Sequence, residues 1–160
     1  MPSRLFWVKA FAFLSLIRWY NLALAAFFSY AAAHFLLKAY PNGWVLLTDF
    51  PFHFSVLGMV FVLAAGYLIN AFYDAEKDLL DRPQKVLFER FVSKATQLRL
   101  YFIFNGLGVI LGGLGSWKVG VLFFTMSVGL YFYSHKFQKK TLWGELMATL
   151  LTVGSIGWVA

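Results

Sequence analysis

Five stretches of this sequence are almost entirely apolar, and each is long enough, or nearly so, to cross a lipid bilayer as a helix. They lie near residues 10–37, 54–73, 98–116, 119–134 and 141–160. A spanning helix needs roughly 20 mostly apolar residues, and lipid leaves no partner for an unpaired backbone group. We therefore expect an all-α, polytopic transmembrane helical bundle in which residues 1–160 form a single domain.

The composition excludes a soluble globular domain. Hydrophobic residues make up 61% of the chain and charged residues 13%, with a mean hydropathy of +0.69, whereas soluble domains carry about 45–50% apolar and about 25% charged residues. The absence of cysteine excludes disulfides, a thiolate nucleophile and a cysteine-based metal site. The histidines, His34, His53 and His135, are far apart and lack the spacing of metal ligands.

The basic residues predict how the chain is oriented in the membrane. With a cytoplasmic N-terminus and five spans, only Lys38 and Lys118 of the 14 lysines and arginines lie on the outer side. Such an asymmetry follows the positive-inside rule, so the net charge of +7 indicates a membrane protein and not a nucleic-acid binder. We expect an integral, multi-pass protein of a cell membrane, taken at this point to be a bacterial inner membrane. The cytoplasmic set comprises Arg4, Lys9, Arg18, Lys77, Arg82, Lys85, Arg90, Lys94, Arg99, Lys136, Lys139 and Lys140.

The last apolar stretch reaches residue 160 without a basic anchor or a polar tail. Natural membrane helices commonly end in interfacial residues. This pattern predicts a truncated chain.

The glycines of the third apolar stretch form a pattern that favours close helix packing. Gly108 and Gly112 make a GxxxG step, which lets two helix backbones approach each other in lipid. A dinucleotide-binding loop would instead follow a strand, and no strand is predicted here.

Residues 70–85 carry the acidic side chains that could do chemistry. If the second span continues as a helix to about residue 80, Asn70, Asp74 and Asp78 share one face, with Asp81 close to it. Clustered carboxylates repel each other, and a cation bound between them removes this repulsion. Carboxylates that supply only part of an octahedron, with phosphate oxygens and water as the other ligands, suit Mg²⁺. Arg82 and Lys85 could then contact the same phosphates. The alternative is a solvated acidic loop balanced by nearby basic residues; Asn70 favours the site, because polar groups within a span are often functional.

Three segments together resemble the UbiA-type intramembrane prenyltransferases. The stretch from Gly66 through Asn70, Asp74 and Asp78 to Arg82-Pro83 is similar to the family's first aspartate-rich motif, N-D-x-x-D-x-x-x-D followed by R-P. The short gap before Arg82-Pro83 is most similar to the geranylgeranylglyceryl-phosphate geranylgeranyltransferase branch. A second segment, Arg18-Trp-Tyr-Asn21, is similar to the family's R-P-x-N motif. A third, Tyr133-Ser-His-Lys136 followed by Thr141-Leu-Trp-Gly144, is similar to the family's Y-S-x-x-L-K motif and the G-N beyond it.

The resemblance implies transfer of an isoprenyl group from an isoprenyl diphosphate to a lipophilic acceptor. It implies Mg²⁺ held by Asn70, Asp74 and Asp78, with the two aspartates as catalytic residues. Metal and cationic side chains would neutralise the departing pyrophosphate, and aromatic faces would stabilise a carbocation. The substrate-binding residues implied are Asn21, Arg82, Lys85, Tyr133 and Lys136.

Several positions depart from the family pattern and leave a second hypothesis open. Ala71 stands where the family has its first aspartate, Glu145 where it commonly has asparagine, and a second aspartate-rich motif is absent. The alternative is therefore a non-catalytic remnant that binds or scaffolds in the membrane. Arg18 could equally be a helix-end anchor, Asn21 a helix–helix hydrogen bond, and Lys136 part of a basic cluster at the membrane surface.

Overall fold

The computed structural model describes residues 4–36, 42–81, 91–132 and 134–135, without the side chains of 5, 36 and 76–81. Within these residues the chain forms α-helices and no strand, which confirms the predicted all-α class. The helices are α1 (Arg4–Leu16), α2 (Trp19–Ala31), α3 (Gly43–Thr48), α4 (Phe50–Asp81), α5 (Lys94–Gly115) and α6 (Trp117–Phe132), with a π-helical turn, Ala32–Leu36, after α2.

Two of the described helices are long and apolar enough to cross a membrane, namely Phe50–Ala75 within α4 and the whole of α5. A third candidate is the pair Phe6–Leu16 and Trp19–Phe35, which is bent by 52° at a short break. Helix α6 is apolar but has only 16 residues. The number of spans and the side of the N-terminus remain predictions, and the stretch 141–160 lies outside the described residues.

Short polar residues begin three of the helices. The side chain of Asn42 accepts a hydrogen bond from Val45 N at 3.0 Å and starts α3. Ser93 accepts one from Thr96 N at 3.2 Å and starts α5, and Asp49 does the same for α4 through Phe52 N at 3.1 Å. Each cap satisfies a backbone N–H that has no partner within the helix.

Helix α4 lies at the centre of the bundle and contacts α1, α2, α5 and α6. Its glycine at 58 faces the GxxxG step of α5: a Cβ at Gly58 would lie 2.8 Å from the Gly108 carbonyl oxygen and 2.9 Å from Gly112 N. The predicted packing role of these glycines is confirmed. On the α6 side, Gly66 packs against Leu130 and Met59 lies in one core cluster with Phe123, so α4 and α6 run in the same direction.

Candidate active site

One face of α4 carries a line of polar side chains. Tyr67, Asn70 and Asp74 follow one another at intervals of three and four residues, and all three are partly exposed. Because α4 continues without a break to Asp81, the expected helix through Asn70, Asp74 and Asp78 is confirmed. Side chains three and four residues apart are neighbours on a helix surface, so the spacing along α4 is sufficient to place these three on one face.

Ser134, two residues after the end of α6, contacts this face. Its hydroxyl donates a hydrogen bond to the side-chain oxygen of Asn70, across 64 residues of sequence. Ser134 is only 5% exposed, so water does not compete freely for this bond. The contact places Ser134 next to the acidic helix, and it orients the Asn70 amide while a second lone pair on the same oxygen stays available.

Residues at and just after the break between α1 and α2 contact the same face of α4 at Tyr67. Arg18 has the left-handed backbone conformation, with φ 51° and ψ 55°, which costs an L-residue other than glycine roughly 1–2 kcal/mol. Its guanidinium carbon lies 5.3 Å from the centre of the Tyr67 ring. One turn further on, Asn21 Nδ2 donates a hydrogen bond to the Tyr67 hydroxyl at 3.2 Å. The helix–helix hydrogen bond considered for Asn21 is thus confirmed.

Beside Asn70 and Ser134 lies a second cluster, formed by Tyr73, Tyr131 and His135. His135 Nδ1 and the Tyr73 hydroxyl are 3.1 Å apart. The rings of Tyr131 and His135 are nearly parallel, at 8° with their centres 5.8 Å apart. The His135 ring thus contacts both tyrosine rings at the edge of the polar face.

Comparison with known proteins identifies the family of this chain. Residues 26–160 match the model of the UbiA prenyltransferase family. The chain belongs to this family. It is 30% identical over 147 residues to a digeranylgeranylglyceryl phosphate synthase of Metallosphaera sedula, covering 90% of this chain and 49% of that protein. Proteins of the same name from Methanobrevibacter smithii and Saccharolobus solfataricus are 26% and 28% identical, covering 65% and 64% of this chain and 38% and 36% of their own lengths.

This UbiA-family chain therefore spans about half the length of the curated relatives it matches. It is an integral membrane protein by family and by its apolar helices. The relatives are archaeal, so they give no support to the expected bacterial inner membrane. No solved structure matches the chain.

The donor atoms on α4 fit the magnesium ion that the UbiA family implies. Asn70 offers an amide oxygen and Asp74 a carboxylate one turn later, and oxygen ligands of this kind suit Mg²⁺, which usually keeps several waters and binds few protein groups. Among the described residues, no three His, Cys, Asp or Glu side chains are close enough to hold a metal ion. Asn70 and Asp74 would therefore supply only part of a coordination sphere.

The remaining predicted site residues lie outside this description. The backbone of Asp78 belongs to α4, one turn beyond Asp74, but its side chain is not described. Arg82, Lys85, Tyr133 and Lys136 are likewise outside the described residues. Sequence reasoning did not single out Tyr67, although its place three residues before Asn70 on a polar helix face was a usable signal.

Proposed function

We propose that this chain forms part of a Mg²⁺-dependent membrane prenyltransferase, which transfers an isoprenyl group from an isoprenyl diphosphate to a lipophilic acceptor. The observation that carries the proposal is the meeting of three separate segments at one face of α4: Arg18 and Asn21 through Tyr67, Ser134 through Asn70, and Asp74 itself. Such a convergence of polar side chains is expensive in a membrane bundle and marks a functional site.

In this proposal Asn70, Asp74 and Asp78 would hold the Mg²⁺ ion, whose positive charge would offset the charge of the departing diphosphate. Arg82, Lys85 and Lys136 contact the phosphate oxygens, while Asn21 and Tyr133 line the place of the substrate. The allylic C–O bond breaks with its electron pair going to pyrophosphate. The hydroxyl oxygen of the acceptor then bonds to the same carbon, and its proton passes to the released pyrophosphate or to water. Tyr67 serves as a positioning residue, because it joins Asn21 and Arg18 to α4.

The acceptor proposed is a geranylgeranylglyceryl phosphate and the donor geranylgeranyl diphosphate. Support comes from the names of the relatives, which are digeranylgeranylglyceryl phosphate synthases. Both molecules are lipids with a phosphate head, which suits a site at the end of membrane helices. The position after Asn70 is Ala71, which packs against the apolar core and offers no metal ligand.

The proposal is tested by equilibrium binding of geranylgeranyl diphosphate to the full chain in lipid nanodiscs. We expect binding with Mg²⁺ that EDTA abolishes, and a loss of affinity of about tenfold or more in Asp74→Asn, because a metal carboxylate becomes a neutral amide. The matched control is Asp49→Asn, at the opposite end of α4 and about 37 Å away at 1.5 Å per residue. This variant keeps a side chain that can cap the helix.

Binding that is indifferent to EDTA, or equal in Asp74→Asn and wild type, would overturn the metal site. Transfer to geranylgeranylglyceryl phosphate is measured in the same nanodiscs. Metal-dependent binding without any transfer would favour the alternative, a non-catalytic member that binds or scaffolds in the membrane.

A further inference from the structure

A groove between α1 and the start of α5 lies apart from the site just described. The groove is open to the surface and has a volume of about 490 Å³. Lys9 and Phe13 line it from α1, while Ser93, Thr96, Leu100 and Phe104 line it from the α5 side. None of these residues belongs to the face of α4 that carries Asn70 and Asp74, so this groove is unused by the proposed reaction.

The groove is polar at one end and apolar at the other. The Ser93 and Thr96 hydroxyls lie at the start of α5, 2.8 Å from each other. Leu100 and Phe104 follow Thr96 at intervals of four residues on the same face, so the wall extends about 12 Å along the helix axis. The whole of α5 is a candidate membrane span, and its first residues therefore mark the bilayer surface while Phe104 lies deeper.

The charge at the polar end selects an anion. Among the described residues that line the groove, Lys9 carries the charge and none is acidic. The neighbouring Lys94 is directed elsewhere, with its ammonium 5.8 Å from the centre of the Phe72 ring. A cationic side chain near a bilayer surface attracts anionic headgroups.

The apolar side chains of the groove favour an anion that carries a hydrocarbon chain. Phe13 and Phe104 meet edge to face with centres 6.2 Å apart, and Phe104 in turn packs on Phe61 of α4 at 5.2 Å. This floor is held by the bundle core and does not need a ligand to form. A free phosphate ion would contact Lys9 but not the apolar wall, whereas a phospholipid would contact Lys9 with its headgroup and the wall with a hydrocarbon chain.

We propose that this groove binds one anionic phospholipid, with the headgroup phosphate at Lys9, Ser93 and Thr96 and a hydrocarbon chain along Phe13, Leu100 and Phe104. The site is a lipid site that the bundle carries in addition to its proposed catalytic face. Its occupant would stabilise the contact between α1 and α5, which otherwise meet mainly through α4.

The test is lipid retention by the full chain in native mass spectrometry, with phosphatidylglycerol and phosphatidylcholine offered at equal concentration. We expect one preferred phosphatidylglycerol adduct. Lys9→Gln should weaken its retention about fivefold, the effect of one cation near a charged surface. The control Arg4→Gln removes an exposed charge from the same helix outside the groove and should leave retention unchanged.

A second variant, Thr96→Trp, fills the groove without altering its charge. Thr96 is exposed, so helix content by circular dichroism should stay that of wild type while the adduct is lost. Displacement of the adduct by millimolar inorganic phosphate would mean that a free phosphate and not a lipid is the ligand, and would overturn the proposal. Equal retention of the two lipids, or full retention in Lys9→Gln or in a folded Thr96→Trp, would also overturn it.

Discussion

The hydroxyl of Ser134, two residues beyond the end of α6, donates its hydrogen bond to the side-chain oxygen of Asn70 on the acidic face of α4. Both residues lie in segments that resemble family motifs, yet neither segment indicates the other. The contact brings residues of two separate sequence motifs together at one place on α4. It also makes the orientation of the Asn70 amide depend on α6.

Ser134→Ala should therefore weaken the proposed Mg²⁺-dependent binding of geranylgeranyl diphosphate. The buried hydrogen bond contributes about 1 kcal/mol, and a misplaced ligand at a metal site costs roughly tenfold in affinity. The measurement is the nanodisc binding assay, run beside Ser127→Ala. Ser127 is also buried but lies within α6 and donates its hydrogen bond to Phe123 O of the same helix, so its loss should not change binding. Equal effects of the two variants would assign Ser134 to packing alone.

The hydrogen bond between Asn21 and Tyr67 should contribute to stability as a pair. Tyr67→Phe keeps the ring beneath Arg18 and removes only the hydroxyl that Asn21 contacts. In a double-mutant cycle with Asn21→Ala we expect a coupling of roughly 0.6–1.7 kcal/mol, the range for hydrogen bonds between membrane helices. The readout is unfolding in detergent. Tyr20→Phe, on an exposed ring of α2, is the control and should be neutral; a coupling of zero would mean that the bond does not hold α2 to α4.

The glycine contact between α4 and α5 should tolerate no side chain. In Gly58→Ala the new Cβ would meet backbone on two sides, at 2.8 Å from Gly108 O and 2.9 Å from Gly112 N. Because backbone cannot turn away as a side chain can, the helices must separate, and we expect a loss of roughly 1–3 kcal/mol. Gly106→Ala is the matched control, since no described atom lies within 4 Å of its Cβ position. The melting temperature should fall for Gly58→Ala and should not fall for Gly106→Ala. Equal decreases would contradict this account of the interface.

The features that the sequence predicts best are those set by local pattern. The all-α class follows from apolar runs, the continuous helix past Asn70 from the spacing of its polar residues, and the close contact at Gly108 and Gly112 from the GxxxG step. Each of these depends on residues within a few turns of one another. Periodicity and small-residue spacing carry that information directly.

The contacts that assemble the candidate site could not be obtained in this way. Asn21 meets Tyr67 across 46 residues and Ser134 meets Asn70 across 64. Such pairings depend on how whole helices pack, which no local pattern encodes. The same holds for the left-handed backbone of Arg18, because arginine has no local preference for positive φ.

Arg18 should consequently show opposite effects on stability and on binding. Glycine adopts φ 51° without the steric penalty that arginine bears, so Arg18→Gly removes a strain of roughly 1 kcal/mol while it deletes the cation above Tyr67. We expect an unfolding midpoint equal to or above that of wild type, together with weaker diphosphate binding. Arg18→Lys keeps the charge and the strain, and should retain most of the affinity at unchanged stability. A destabilised Arg18→Gly with unaltered binding would show instead that the guanidinium serves only to hold the break between α1 and α2.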